Sequence, residues 1–351
     1  MQRRAFLRGL TLGCLSLAAP GVATVSSGEA EDPDPLAGIP IVDAHAHPDQ
    51  FFGSHRSDPS STLQSIVALG MAASSFSALG DKQMREGIWQ DETMHGVHLQ
   101  LSVVRGLAEA GKVRLIQRAA EIVVPSAGTP PGAILALEGA HPIGTDPDRV
   151  DALYGEGVRM ITLMHYAMSD LGDCMTCRRR GSGLTPEGRR VVERMQRAGI
   201  LVDVAHADSS TLRQIVDLMD RPVVDSHTSL CPSPDGIRCG RLRPWEDMER
   251  VVRKGGVICS WPLAYSRQGG GRETFRDWAA ELLEMKRRLG VAHIGIGTDG
   301  GGSLPARIQG YRDVRDLRTL ARMMHEMGFT PEEIAAVFGG NIRRVFQESV
   351  G

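Results

Sequence analysis

Seven side chains suited to binding a cation or moving a proton recur in one kind of setting: His45, His47, Glu138, His165, His206, His227 and Asp299. Each sits at the end of a short apolar run, as in IVDAHAH, AILALEG, VRMITLMH, ILVDVAHAD, PVVDSH and HIGIGTDG. An i, i+2 pair such as His45/His47 projects from one side of an extended segment, so both imidazoles can reach one ion. Imidazoles plus a carboxylate make a Zn2+-type ligand set. His45, His47, Glu138, His206 and His227 are too many for one catalytic zinc, which takes three protein ligands and keeps a position open. They suit two divalent ions that share Glu138, with zinc the first candidate. A lone histidine at a strand end is more often a hydrogen-bonded core residue than a ligand. Chance placement of four histidines and a glutamate at such ends is a far weaker explanation, so the set is read as metal-binding.

Bringing these residues together requires a scaffold of strands. The candidates are 40–45, 65–73, 132–139, 158–165, 199–206, 222–227, 256–261 and 293–299. Most are continuous Val/Ile/Leu/Ala runs, the pattern of parallel strands covered on both faces. Helix starts lie between them: Thr185-Pro186-Glu187, Asp208-Ser209 and Thr330-Pro331-Glu332 each offer a capping oxygen ahead of helix-compatible residues. Eight βα units predict an α/β fold, a (β/α)8 TIM barrel; a doubly wound open sheet is the alternative. In a barrel the catalytic residues gather at the C-terminal rim of the strands, which is where the His, Glu and Asp side chains fall. The stretch from Asp81 to Ile122 is too long and helical for one crossover and predicts two helices.

Composition limits the partners. The chain is 42% hydrophobic and 23% charged, which excludes disorder and fibrous classes. Lys+Arg 40 against Asp+Glu 42 leaves a net charge of −2, with no basic excess for nucleic acid or an acidic membrane surface. Arg3-Arg4-Ala5-Phe6-Leu7-Arg8 and the uncharged stretch from Gly9 to Gly28 predict a twin-arginine-type signal peptide over 1–30. That leaves 31–351 as a single barrel, periplasmic or extracellular. Pro20 and Gly21 interrupt the stretch, so no stable membrane span is expected, and Thr11-Leu12-Gly13 before Cys14 is a poor lipid-attachment signal. Five cysteines remain beyond the signal: Cys174, Cys177, Cys231, Cys239 and Cys259. Export permits disulfides, and the odd number leaves at least one thiol unpaired within a chain. Cys174-Met175-Thr176-Cys177 precedes three arginines rather than a βαβ pattern, so a disulfide or plain thiols is expected there, not a thioredoxin-like role.

Through IVDAHAHPD, ALEG, GVRMITLMH, GLTPEGRRVVERMQRAGILVDVAHAD, PVVDSHTS, HIGIGTDG and GFTPEEIAAVFGGNIRRVF, the chain resembles the membrane (renal) dipeptidase family of the amidohydrolase superfamily. The resemblance spans almost all of 38–348 and is most diagnostic over Gly183–Asp208 and Gly328–Phe346. It implies that His45 and His47 hold a first ion, that Glu138 bridges, and that His206 and His227 hold a second. By the same resemblance Asp299 is the acid/base carboxylate, His165 contacts the scissile carbonyl, and Arg241 in RLRP takes the substrate's C-terminal carboxylate; Arg238 and Arg243 are near enough to compete for that last role. The implied activity is hydrolysis of dipeptides, L-D dipeptides among them, by a metal-bridging hydroxide, and the implied assembly is a homodimer.

Two departures bear on the site. His47 stands where the family usually has Asp, which makes the ion pair more positive. Gly300-Gly301-Gly302 replaces a bulkier segment, which predicts a larger or looser pocket. The competing readings are a different amide substrate, a TatD-type nuclease, whose GEIGLD-like strand is absent here, and a metal-binding barrel without turnover.

Overall fold

Short apolar runs, each closed by a polar residue, form the staves of a barrel in the computed structural model. It describes residues 34–50, 58–81, 94–177, 181–231, 240–267, 270–302 and 304–351; the predicted signal peptide, Arg178 to Arg180, Arg238 and Cys239 lie outside them. The strands are β1 (Val42–Asp43), β2 (Ala73–Leu79), β3 (Arg114–Leu115), β4 (Gly132–Glu138), β5 (Met160–Thr162), β6 (Leu201–Asp203), β7 (Val224–Thr228), β8 (Val257–Ser260), β9 (Tyr265–Arg267), β10 (Gly270–Arg272) and β11 (Ile294–Ile296). Parallel pairing runs β1-β2-β4-β5-β6-β7-β8-β11, with β3 beside the start of β4 and β9–β10 a separate hairpin. The two ends of that path meet: Ala44 N donates to Ile296 O at 3.0 Å and Asp299 N to His45 O at 2.8 Å. The sheet therefore curls into an eight-stranded α/β barrel, as the alternation of runs predicts.

Ten α-helices accompany the strands among the described residues: α1 (Leu63–Leu69), α2 (Met94–Glu109), α3 (Asp148–Gly155), α4 (Pro186–Ala198), α5 (Ser209–Leu218), α6 (Trp245–Arg253), α7 (Phe275–Leu289), α8 (Leu317–Glu326), α9 (Pro331–Ala335) and α10 (Asn341–Ser349). The three start signals read in the sequence are caps. Thr185 accepts from Gly188 N, Asp208 from Thr211 N and Thr330 from Glu333 N, each worth about 1 kcal/mol. A π-helical turn, Ala336–Gly340, joins α9 to α10. There a Cβ on Gly339 would stand 2.0 Å from Pro40 O, so only glycine lets this turn lie against the chain entering β1. Ile342, Val345 and Phe346 of α10 then pack with Val42, Met160, Leu201, Val224 and Val257, the first residues of their strands, and close the N-terminal end of the barrel.

One expectation is corrected. Residues 65–73 are not a strand: a capping box between Thr62 and Ser65 and a left-handed Gly70 bound a helix, α1, and the strand follows it as Ala73–Leu79. The stretch from Asp81 to Ile122, expected to hold two helices, includes residues 82–93, which lie outside the described residues. Its described part holds α2, then β3 and a 3-10 turn at Ala119–Glu121.

Candidate metal centre

Every barrel strand delivers one or two side chains to its C-terminal end. His45 and His47 follow β1, Asp81 follows β2, Glu138 ends β4 and His165 follows β5. His206 follows β6, His227 lies within β7, Trp261 follows β8 and Asp299 follows β11. The expected ligands converge on Glu138. Its Oε1 lies 3.1 Å from His206 Nε2, 3.4 Å from His45 Nε2 and 3.5 Å from Nε2 of both His165 and His227. Oε2 lies 3.3 Å from His47 Nε2, which is itself 3.6 Å from Asp299 Oδ1. Three groups of ligand atoms are compact enough for a cation, each within 4.8 Å: His45/His47/Asp299, His45/Glu138/His227 and Glu138/His165/His206. His165, expected to face substrate, thus also stands among the potential ligands.

The backbone is bent to achieve this. His206 and Asp299 have φ of 62° and 49°, a left-handed conformation costing about 1–3 kcal/mol each in residues with a Cβ. Neighbours hold them there. Met175 N donates to His206 O at 2.7 Å, from the loop closed by the Cys174–Cys177 disulfide. Gly302 N donates to Asp299 O at 3.0 Å. Contrary to expectation, the glycine run packs tightly: a Cβ on Gly301 would stand 2.1 Å from His47 O, and one on Gly302 2.1 Å from Asp299 Oδ1. The small residues admit the backbone next to the ligands rather than opening space.

Hydrogen bonds behind the ligands fix their tautomers. The Asp203 carboxylate only accepts, so Ser226 Oγ–H donates to Asp203 Oδ2 at 2.6 Å. The same oxygen must then accept from both neighbouring imidazoles, His227 Nδ1–H at 3.0 Å and His45 Nδ1–H at 3.2 Å. Each ring, when neutral, therefore offers the lone pair of Nε2 to the centre, the orientation that a metal ligand needs. His47 Nδ1–H donates to Ser77 O at 2.8 Å with the same result. His165 Nδ1 pairs with Asp81 Oδ1 at 2.6 Å, and Asp81 Oδ2 accepts from Tyr166 N and Ala167 N.

Charge follows from this geometry. Burial pushes the Glu138 carboxyl up, yet the surrounding imidazoles outweigh burial and hold it well below the usual range. Burial also pushes His45 down, but Glu138 lifts it to about 9. For His165 the Glu138 and Asp81 carboxylates likewise overcome burial and raise it. His206 and His227 go the other way: burial, with Arg241 near both, keeps them neutral. Burial raises Asp299 despite the pull of His47 and His45. The donor set fits divalent cations by its own chemistry. His45 Nε2 and His206 Nδ1 are buried without a hydrogen-bond partner, and the Nε2 atoms of His206 and His227 face one another at 3.0 Å beside an anionic carboxylate.

The two described arginines of RLRP part company. Arg243 is fully buried, paired with Asp225 Oδ2 at 2.8 Å and donating to Ala207 O and Val204 O. Arg241 stands beside the ligands with capacity to spare: Nη2 reaches His227 O at 3.3 Å, Nη1 meets Met175 Sδ at 3.5 Å, the Tyr166 side chain also hydrogen-bonds to the guanidinium, and Nε has no partner. Three functional residues escaped the sequence reading, Asp81, Asp203 and Ser226. Asp81 carried a usable signal, lying just past a strand, but that strand was misplaced.

A closed parallel barrel with imidazoles around a shared carboxylate at its C-terminal rim has the amidohydrolase-like fold. The family model "Membrane dipeptidase (Peptidase family M19)" matches residues 84–350, and the chain belongs to that family. The match begins after β2, so His45 and His47 precede it. Dipeptidase tcpJ of Claviceps purpurea is 27% identical over 218 residues, 62% of this chain and 50% of the relative. Dipeptidase 3 of Rattus norvegicus is 28% identical over 223 residues, 61% and 44%. The chain thus spans about half the length of these curated relatives. Solved structures share the fold. The probable dipeptidase PvdM from Pseudomonas aeruginosa gives a TM-score of 0.77 at 16% identity, covering 89% of this chain and 95% of that one. A metallo peptidase from Rhodobacter sphaeroides, liganded with a phosphinate mimic of the dipeptide L-Ala-D-Ala, gives 0.74 at 19% identity, covering 89% and 99%.

Proposed function

We propose that the protein is an exported binuclear metallo-dipeptidase that hydrolyses dipeptides, L-D dipeptides among them. One observation carries the reading: Glu138 and the imidazoles of His45, His47, His206 and His227 converge within 3.1–3.5 Å, beside an arginine with unused donors. Divalent ions held by these five side chains would supply Lewis acidity and an acidified water. Asp299, poised by burial to carry a proton, takes it from the water at its carboxylate and returns it to the leaving amine. His165, whose proton affinity Glu138 and Asp81 raise, donates from Nε2 to the carbonyl oxygen as negative charge develops there. Arg241 holds the free carboxylate, one residue from the scissile bond, which restricts substrates to dipeptides.

Membership of the family supports the activity, and the ligand of the Rhodobacter sphaeroides relative supports an L-D substrate. Arg3-Arg4 supports export, as do the Cys174–Cys177 disulfide and a disulfide-bonded Cys231, which suit an oxidising compartment. The test is metal analysis of the purified protein together with assays on Gly-D-Ala and single-stranded DNA. The expected result is about two ions per chain and turnover of the dipeptide alone. Cleavage of DNA without dipeptide turnover would refute the reading.

A further inference from the structure

Trp261, the residue that β8 brings to the rim, is 3% exposed, and its indole Nε1–H has no acceptor. Among the described residues the other buried tryptophan behaves differently: Trp278 donates its Nε1–H to Ser260 Oγ at 2.8 Å. A buried N–H left unpaired is unfavourable, and an indole can only donate, so Trp261 calls for an acceptor from outside the fold. Its neighbour has the same need. Arg241 Cζ lies 5.3 Å from the Trp261 ring centroid, and Arg241 Nε is the second buried donor here without a partner. The His227 ring, one of the expected ligands, lies 5.3 Å from the indole on centroids. Two unsatisfied N–H donors, one on a cation, thus stand together beside the metal centre.

Their placement is rigid. Ser260, immediately before Trp261, accepts from both Trp278 Nε1 and Arg272 Nη1, the latter at 3.1 Å, and Arg272 pairs with Glu281 at 2.9 Å. The tryptophan therefore cannot readily swing away to find another partner. An anion with two acceptor oxygens satisfies both donors at once, one oxygen to each. Building on the reading that Arg241 receives the substrate's terminal carboxylate, we propose that Trp261 is a specificity-determining residue: its indole N–H supplies the second hydrogen bond to that carboxylate. A substrate amide would replace one acceptor oxygen by an NH2 group, leaving one of the two donors facing another donor.

Trp261→Phe keeps the ring beside Arg241 and removes only the N–H. In the full-length zinc-loaded protein the variant should raise KM for Gly-D-Ala about 10- to 100-fold, the worth of one hydrogen bond to a charged group, with kcat nearly unchanged. KM for Gly-D-alaninamide should not move. A second measurement is independent of turnover: calorimetric titration of Gly-D-Ala into the metal-free full chain, where the variant should bind at least tenfold more weakly than the unaltered protein. Weaker binding by the variant in a protein that hydrolyses neither compound would uphold the Trp261 contact and remove the dipeptidase reading. Equal affinity of the two proteins, an equal KM rise for acid and amide, or absence of binding by the unaltered protein would each overturn the proposal.

Discussion

Replacing Ser226 by Ala tests the metal centre without touching a ligand. Ser226 Oγ receives Nδ1–H from both His227 and His45, at 3.0 and 3.2 Å, and passes its own proton to Asp203. The substitution removes all three contacts. Asp203 stays satisfied: its Oδ2 keeps Thr162 Oγ1 at 2.5 Å, and its Oδ1 keeps the backbone N–H groups of residue 226 and Ala205, both at 3.0 Å. The fold should therefore survive. Each imidazole loses one neutral hydrogen bond, worth about 1 kcal/mol, which weakens its own ion about fivefold and the two ions together near 30-fold. That sits within the 10- to 100-fold cost usual for an outer-shell partner. In the proposed binuclear centre His45 and His227 hold different ions, so both binding steps should weaken. The assay is competition for zinc against a chromophoric chelator, with a thermal melt of the metal-free variant alongside. Unchanged zinc affinity at either step would refute the shared-hydroxyl argument, and weakening confined to the melt would reduce Ser226 to a packing role.

Asp299→Asn should keep its metal, since Glu138 and the imidazoles are untouched, and lose about 10²- to 10⁴-fold in kcat; unaltered turnover would remove its acid/base role. Arg243→Met strands Asp225 as an unpaired buried charge, a loss of about 3–5 kcal/mol, or about 5–7 °C in Tm for a domain of this size, read by thermal denaturation. The metal-free protein should lose stability between pH 6.5 and about 9. The folded state raises His45 to about 9, so its contribution is complete below the unfolded value of 6.5 and disappears as pH climbs through that window, with His165 acting in the same direction. Zinc-loaded protein should show the opposite trend, because the metal needs neutral imidazole; melts that shift identically with and without zinc would contradict this.

The barrel was legible because most of its strands announce themselves twice, by an apolar run and by the polar residue that ends it. β2 does neither. Three of the seven residues of its sequence, ASSFSAL, are serine, and Ser74, Ser75 and Ser77 are all fully buried, with Ser75 and Ser77 Oγ bonded to each other at 2.8 Å. Hydroxyls that satisfy one another behave as small core residues, which hydropathy cannot register. The preceding LQSIVAL is more apolar and drew the strand assignment to itself, although Thr62, Ser65 and Gly70 carried the capping chemistry of a helix. That error had a functional consequence. Counting from a strand that ends at residue 73, nothing marks Asp81 as a rim residue, so the carboxylate that pairs with His165 Nδ1 is not legible.

Ligands were easier to find than the groups behind them for a chemical reason. A cation accepts few residue types, and those types are conspicuous at the ends of apolar runs. Asp203 and Ser226 act by accepting and relaying hydrogen bonds, which many polar residues can do, and their partnership depends on register: β6 and β7 pair at Asp203 and Val224, which brings the carboxylate level with Ser226. The arginines show the same limit most sharply. Arg241 and Arg243 are equivalent in composition and nearly so in position, and only the third dimension tells which charge is already spent. Arg243 is pinned by main-chain bonds, Arg243 N to Ser229 O and Cys231 N to Arg243 O, both at 2.8 Å, and its guanidinium neutralises Asp225 two residues before His227. Arg241 has no carboxylate among its hydrogen-bond partners in the described residues. A cation with no carboxylate partner among the described residues, beside a cluster that would gather cations of its own, is the one with reason to wait for an anionic ligand.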